Sequence, residues 1–486
     1  MSADKLQAKP GPESDFYGLE WVQRGIWGTE PRWTIEPDED AIKQTVASSL
    51  NQTNASCDIE FLAQGAFNKV YVVRFPEQEK EVIARVTLPV DPKWKTLSEV
   101  ATLRWVREST SLPVPEVISY QADRSASAVG FEWIVMSKMP GKSLHDRWRD
   151  VAFSAKEEIA RRLAAFCADT FRAQLRGIGN LFIGDDTGPV PGGSFAQEHG
   201  SFRVQRIVSS EFLWDSYIHA PVSRGPFPSS RDWLLARLSL AEMDCRERLS
   251  RLQSATPKKG EDEEGGNAPE EDEDENDKAE SEEKDDDQDE DEDDAEDLEH
   301  TMDIISRLRP LLDDFFPQAR PGSPSPPEPE PERTMIVHDD LSRQNMLVDD
   351  HGNLTAVVDW ECVSALPLWF ACQIPPLLQG KPREEEPVKA QYQHDEDENV
   401  AELFWEHLDD YELTQLRRVF LVEMERLQPE WVDIFASSQR QRDFDLAVSG
   451  CSDEFLIRRI RNWLDDVEKG VEGFEGLEER IDNANL

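Results

Sequence analysis

The stretch from Thr334 to Trp360 constrains the fold more than any other part of this 486-residue chain. It holds three apolar runs, Met335-Ile336-Val337, Met346-Leu347-Val348 and Ala356-Val357-Val358, and the last two flank Asp349-Asp350-His351-Gly352-Asn353. That pattern predicts a β-hairpin in which Asn345 enters one strand and Asp359 leaves the other. The two side chains therefore belong close together. Asp340 lies two positions after His338 and five before Asn345, so it joins them. A carboxylate, an amide and a second carboxylate on one rigid hairpin suit phosphoryl transfer with Mg²⁺. Asp340 is the candidate base for an attacking hydroxyl, and Asn345 and Asp359 are candidate metal ligands that hold Mg²⁺ against nucleotide phosphates.

Asp and Asn are also common in plain turns. The five-residue spacing from Asp340 to Asn345, however, is that of the kinase catalytic loop. Upstream, the alternation of residues predicts strands at Ile59–Leu62, Lys69–Phe75 and Glu81–Val86. The turn Gln64-Gly65-Ala66-Phe67-Asn68 joins the first two. Backbone N–H groups of Gly65, Ala66, Phe67 and Asn68 are candidates to lie over phosphates, where glycine allows close approach. One glycine fits a plain hairpin equally well. Arg85 stands on the third strand, where protein kinases carry a phosphate-pairing Lys, and Glu99 is its candidate helix partner. Leu97, Val100, Leu103 and Val106 repeat at near-helical spacing around Glu99.

The loop H-x-D-L-x-x-x-N-x-L-x-D, a hairpin and D-W-E are met here by His338, Asp340, Leu341, Asn345, Leu347, Asp349 and Asp359-Trp360-Glu361. In these residues the chain resembles the aminoglycoside phosphotransferase-like kinases, relatives of choline kinase and of protein kinases, and most strongly their fungal branch. The resemblance implies an α+β, bilobal, protein-kinase-like fold. Its small lobe has an antiparallel sheet plus one key helix, its larger lobe is mainly helical, and the nucleotide lies between them. It also implies ATP or GTP with Mg²⁺, and a small-molecule hydroxyl as acceptor. Adenine would lie against the backbone of Ser137 to Met139 with Met136 behind it, and His338 would brace the loop. Bacterial members usually carry Gly where this chain has Asp339. The absence of A-P-E weighs against a protein kinase. A catalytically weak pseudokinase scaffold is the alternative: Asp339, Arg85 and the glycine-poor turn favour it, and the intact Asp340/Asn345/Asp359 set disfavours it.

The expected organisation is a mobile tail (1–18), a nucleotide-binding lobe with a Trp-rich lead-in (19–139) and a catalytic and substrate lobe (140–470). A disordered acidic insertion (253–297) and a Pro-rich loop (321–331) interrupt the latter, and a loose tail (471–486) ends the chain. Residues 261–300 hold 26 Asp and Glu against two Lys, about half of the net charge of −47. So acidic and apolar-poor a tract does not bury enough surface to offset the entropy of ordering. It is expected to solubilise, with binding of a basic partner as the alternative. The remaining charge is still acidic and argues against nucleic acid. Six scattered cysteines, no secretory leader and no apolar run long enough to span a bilayer lead us to expect a reduced, cytoplasmic protein with no membrane segment.

Overall fold

A computed structural model describes residues 10–11, 13–23, 29–52, 56–184, 195–196, 201–255, 275–317, 330–393 and 400–484. The chain opens with a hairpin of β1 (Leu19–Gln23) and β2 (Thr29–Trp33), then helix α1 (Glu39–Ser49). Asp38 caps α1 by accepting the N–H groups of Asp40 and Ala41 at 2.9 and 3.2 Å, and acidic Glu39 and Asp40 suit the positive end of the helix dipole. Next come β3 (Asp58–Gln64), β4 (Asn68–Phe75), β5 (Lys80–Thr87), α2 (Trp94–Ser109), β6 (Val117–Gln121) and β7 (Glu132–Ser137). The five strands form one antiparallel sheet in the order β3-β4-β5-β7-β6. Tyr71, Val73 and Phe75 of β4 point into its core with Val82 and Ala84 of β5. Trp33 joins them, its ring 5.1 Å from that of Phe131, as expected of the lead-in. Trp27 lies outside the described residues.

The chain continues through β8 (Lys142–Ser143), α3 (Leu144–Arg147), α4 (Phe153–Arg172), β9 (Leu175–Arg176), β10 (Gly179–Ile183), β11 (Phe195–Ala196), β12 (Phe202–Gln205) and α5 (Ser210–Leu213). Two long helices follow, α6 (Ser230–Ala255) and α7 (Glu275–Phe315). Then come β13 (Arg333–Val337), β14 (Met346–Val348), β15 (Leu354–Val357), β16 (Ser364–Pro367) and α8 (Leu368–Ala371). Helices α9 (Glu402–Leu427), α10 (Pro429–Ser437), α11 (Gln439–Ser449), α12 (Glu454–Glu468) and α13 (Leu477–Ala484) complete it. Among the described residues a six-stranded sheet has the order β11-β12-β10-β16-β13-β9, and β15-β14-β8 form a smaller one. The fold is α+β, with the antiparallel sheet, helix α2 and a mainly helical remainder that the resemblance implied. Helix α4 buries Ile159, Leu163, Phe166, Thr170 and Phe171. It begins at Phe153 after Ala152, which makes no side-chain cap bond.

The chain divides into two compact units, residues 1–230 with 328–438, and 231–327 with 439–486. The expected lobe boundary at residue 139 falls inside the first unit, which holds both the small-lobe sheet and the catalytic hairpin. The second unit is helical, with Phe315 of α7 set between Phe444 and Trp463 at 4.8 and 6.0 Å. Arg307 ties α7 to Asp465 and Glu468 of α12 at 2.7 and 2.9 Å.

Three stretches expected to be irregular carry helical backbone or contacts among the described residues. The acidic insertion is helical backbone from Glu275, because α7 extends N-terminally from a packed amphipathic segment and each added residue gains a hydrogen bond; residues 256–274 lie outside the described part. The tail past Gly470 forms α13, held by fully buried Leu477 and by Asp443, which accepts the Glu478 N–H at 3.1 Å. In the N-terminal tail, Tyr17 faces Arg124 at 4.5 Å and Phe16 meets His219 at 4.9 Å, while residues 1–9 are outside the described part. Most of the Pro-rich loop, residues 321–329, is also outside it. None of the six cysteines is in a disulfide, and no helix among the described residues is long and apolar enough to cross a membrane.

Candidate active site

Strand β13 carries the chain into the site from inside the six-stranded sheet, paired with β16 on one side and β9 on the other. His338 follows, buried and edge-on to Trp360 at 4.7 Å, and its Nδ1 accepts the Asp340 N–H at 3.3 Å. Burial lowers the His338 pKa, so the ring stays neutral and braces the loop as an acceptor. Asp340 is exposed. Asn345 reaches back across the loop, and its Nδ2 donates to the Asp340 carbonyl at 3.0 Å and to Asp340 Oδ2 at 2.7 Å. Met346 pairs with Val357, and the Asn345 carbonyl accepts the Val358 N–H at 2.8 Å, which sets Asn345 and Asp359 on adjoining hairpin ends.

The loop is anchored from behind by Arg343. Its Nη2 bonds both carboxylate oxygens of Asp409 at 2.7 Å, and its guanidinium lies 3.9 Å from the Trp148 ring centroid. Trp148 Nε1 donates to the same Asp409 at 2.7 Å, so helix α9 and the Trp148 turn clamp the loop together. Gly141 sits at φ 112°, and a Cβ there would lie 2.6 Å from Thr355 Oγ1 and 2.7 Å from the Val348 carbonyl. Only glycine lets the segment after β7 press this closely on the hairpin. The end of β7 is held to the residue before β6: Ser137 N donates to Glu116 O, and Glu116 N to Ser137 Oγ, both at 2.9 Å. Ser137 Oγ also lies 3.6 Å from Met139 Sδ.

Asp359 adopts φ 63°, a left-handed conformation uncommon outside glycine, and strain of this kind persists only where the surroundings hold it. Arg85 does so: its Nη2 lies 2.7 Å from Asp359 Oδ1 and 2.9 Å from Glu361 Oε2, while Nη1 lies 3.3 Å from Glu99 Oε1. The expected Arg85–Glu99 pair is therefore formed. Burial works against the Arg85 charge, but Glu99, Asp359 and Glu361 outweigh it and raise its pKa. Burial raises the pKa of Glu99, with Arg85 opposing.

The turn before β4 is organised differently from a bare phosphate cradle. Phe67 is buried, 5.6 Å edge-on to Trp214, and Asn68 is buried with its amide used inside the protein. Asn68 Nδ2 donates to Glu361 at 2.7 Å, and its Oδ1 accepts from Thr87 Oγ1 at 2.9 Å and Lys95 Nζ at 3.3 Å. At Gly65 a Cβ would meet nothing within 4 Å, and Ala66 is exposed. The main chain is partly committed as well: the Gly65 N–H donates to the Asn68 carbonyl at 2.9 Å and closes the turn.

Lys95 and Asn180 are among the contributors that escaped the sequence reading. Lys95, on the first turn of α2 and four residues before Glu99, is buried and ion-paired with Glu361. Its helical spacing to Glu99 was the available signal. Asn180 is fully buried, and its Nδ2 donates to Ser98 Oγ, Val208 O and Val363 O at 3.0, 3.1 and 2.9 Å. Its Oδ1 accepts from Val208 N and Ser364 Oγ at 2.7 and 2.9 Å, which ties α2 to the strand after Glu361. No local pattern marks such a residue.

A profile of the family described as "Phosphotransferase enzyme family" (APH) matches residues 58–370. The chain is similar to a subtelomeric hrmA-associated cluster protein of Aspergillus fumigatus, 25% identical over 347 residues that cover 65% of this chain and 60% of the relative. The matched part thus spans less than two thirds of that relative's length. A clavilactone A biosynthesis cluster protein of Ampulloclitocybe clavipes is 46% identical over 50 residues, 10% of this chain and 12% of that one. Among solved structures, an ADP-bound aminoglycoside phosphotransferase superposes with a TM-score of 0.40 at 11% identity, covering 88% of this chain and 97% of that one.

Proposed function

The chain belongs to the phosphotransferase enzyme family, and we propose that it moves the γ-phosphate of ATP or GTP to a hydroxyl of a small molecule. The observation that carries this reading is the hold of Asn345 on Asp340, at 3.0 and 2.7 Å, while its own carbonyl is bonded to the residue before Asp359. The amide occupies Asp340 Oδ2, so Oδ1 is the oxygen left to take the proton of the acceptor hydroxyl. As that proton moves to Asp340, the hydroxyl oxygen forms its bond to the γ-phosphorus and the nucleoside diphosphate leaves.

The donors fit Mg²⁺, which prefers hard oxygen ligands and keeps several positions for water and phosphate. Asn345 has committed its nitrogen to Asp340, so Oδ1 is its free end, and Asp359 retains Oδ2 beyond the oxygen that Arg85 holds. Bound there, Mg²⁺ supplies charge neutralisation for the phosphates. Arg85 keeps Asp359 aimed and offers the cation nearest to it, while Glu99 fixes the guanidinium plane.

The test is a thermal-shift titration with ATP and GTP, in Mg²⁺ and in EDTA, followed by a screen of metabolite extracts for Mg²⁺-dependent phosphorylation. A larger stabilisation with Mg²⁺ is expected, because a ligand that binds only the folded state raises its stability. Equal shifts in both conditions would favour a nucleotide-binding scaffold without chemistry.

A further inference from the structure

Arg85 Nη2 is contested. It serves Asp359 Oδ1 at 2.7 Å and Glu361 Oε2 at 2.9 Å, and the two carboxylates stand two residues apart on one turn. If Glu361 had no other cation it would draw the guanidinium toward itself, away from the residue whose geometry matters to the metal. Lys95, its side chain 1% exposed, pairs with the same Oε2. Asn68 Nδ2 adds a bond to that oxygen at 2.7 Å, and Asn68 Oδ1 steadies the ammonium at 3.3 Å.

We propose that Lys95 is a positioning residue: by neutralising Glu361 it leaves Arg85 to Asp359, and so sets Asp359 for Mg²⁺ and nucleotide. The ammonium is too enclosed to reach phosphate itself, and its neighbours are Glu361, Asn68 and the ring of Phe67 at 5.6 Å. The inference rests on the reading of Asp359 as a metal ligand. It explains why a chain with Arg on the third strand carries a second buried cation on the next helix. A guanidinium has several donors to share out among acceptors, so its partners must be rationed.

The relation predicts suppression, not addition. Lys95→Met should weaken binding of a non-hydrolysable Mg·ATP analogue by about tenfold, within the range of couplings between residues in one ion-pair network. Glu361→Gln in the same chain should restore affinity to within about threefold of wild type, because the competitor for Arg85 has lost its charge. Binding in EDTA should change little in either variant. Calorimetry reads these affinities, and the ligand-free melting temperature reports folding separately. If Lys95→Met alone does not fold, the double variant decides: near-wild-type affinity supports the assignment, and a loss beyond about tenfold overturns it. Losses that add in the double variant, in a wild type that does bind with Mg²⁺ dependence, overturn this inference alone. A wild type that binds equally with and without Mg²⁺ overturns the metal-site reading and this inference together.

Discussion

The side chains of Arg85, Lys95 and Glu99 are 9%, 1% and 1% exposed, whereas Asp340 and Asp339 face solvent. The first group is a fixed frame. Each charge there has been taken out of water and holds its place only because a partner lies within reach. Asp340 carries its charge where water is present and can exchange partners during a reaction. Damage to the buried group should therefore appear as lost stability, and damage to the loop as lost turnover in a protein that folds normally.

Asp340→Asn should show the largest effect. Loss of general-base assistance should lower kcat by about 10²–10⁴-fold while nucleotide affinity stays within a few-fold. Steady-state kinetics beside a thermal melt would check it, and a collapse in melting temperature would break the contrast between the two regions. Arg85→Met should do the reverse, costing roughly 3–5 kcal/mol in urea unfolding because Glu99 is left buried without its cation.

A third measurement uses Glu132, the buried first residue of β7, which accepts the N–H of Lys93, the residue before α2, at 2.6 Å. Burial pushes its pKa from 4.5 to about 7. Between those values the unfolded chain has released the proton and the folded chain keeps it, so this group's contribution to stability falls as pH rises. Over that window the loss amounts to at most about 3 kcal/mol. Urea midpoints at pH 5 and 7.5 should show Glu132→Gln losing less stability on going to the higher pH than wild type does. The smallest effect belongs to Asp339→Gly. An exposed side chain beside the base is not part of the buried frame, so turnover and melting temperature should stay near wild type. If that change abolishes turnover while Asp340→Asn does not, the base is the neighbouring carboxylate.

The catalytic hairpin could be read from sequence because its information is local. Met346-Leu347-Val348, a five-residue turn and Ala356-Val357 alternate as strands must, and the structure pairs Met346 with Val357. Arg85 and Glu99 were legible because strand and helix patterns fix which way each residue faces. Phe67 and Asn68 were harder, since a turn sequence does not say whether its side chains point outward or into Trp214 and Glu361. Asn180 was invisible: Ser98, Val208, Val363 and Ser364 give meaning to an otherwise ordinary strand residue, and they come from distant parts of the chain. The same holds for the second unit, whose two halves lie on either side of the catalytic segment.

That division imposes an order on synthesis. Helix α7 leaves the ribosome with Ile304, Leu308, Leu312 and Phe315 ready for burial, but α11 and α12, which supply Phe444 and Trp463, come more than a hundred residues later. At ~5–20 residues per second the apolar face waits on the order of 6–30 seconds for its cover. A nascent chain in that interval is exposed to chaperones and to its neighbours on the same message. The run of 26 acidic residues between Glu261 and His300 emerges just before this face. Charge flanking an uncovered apolar surface opposes association.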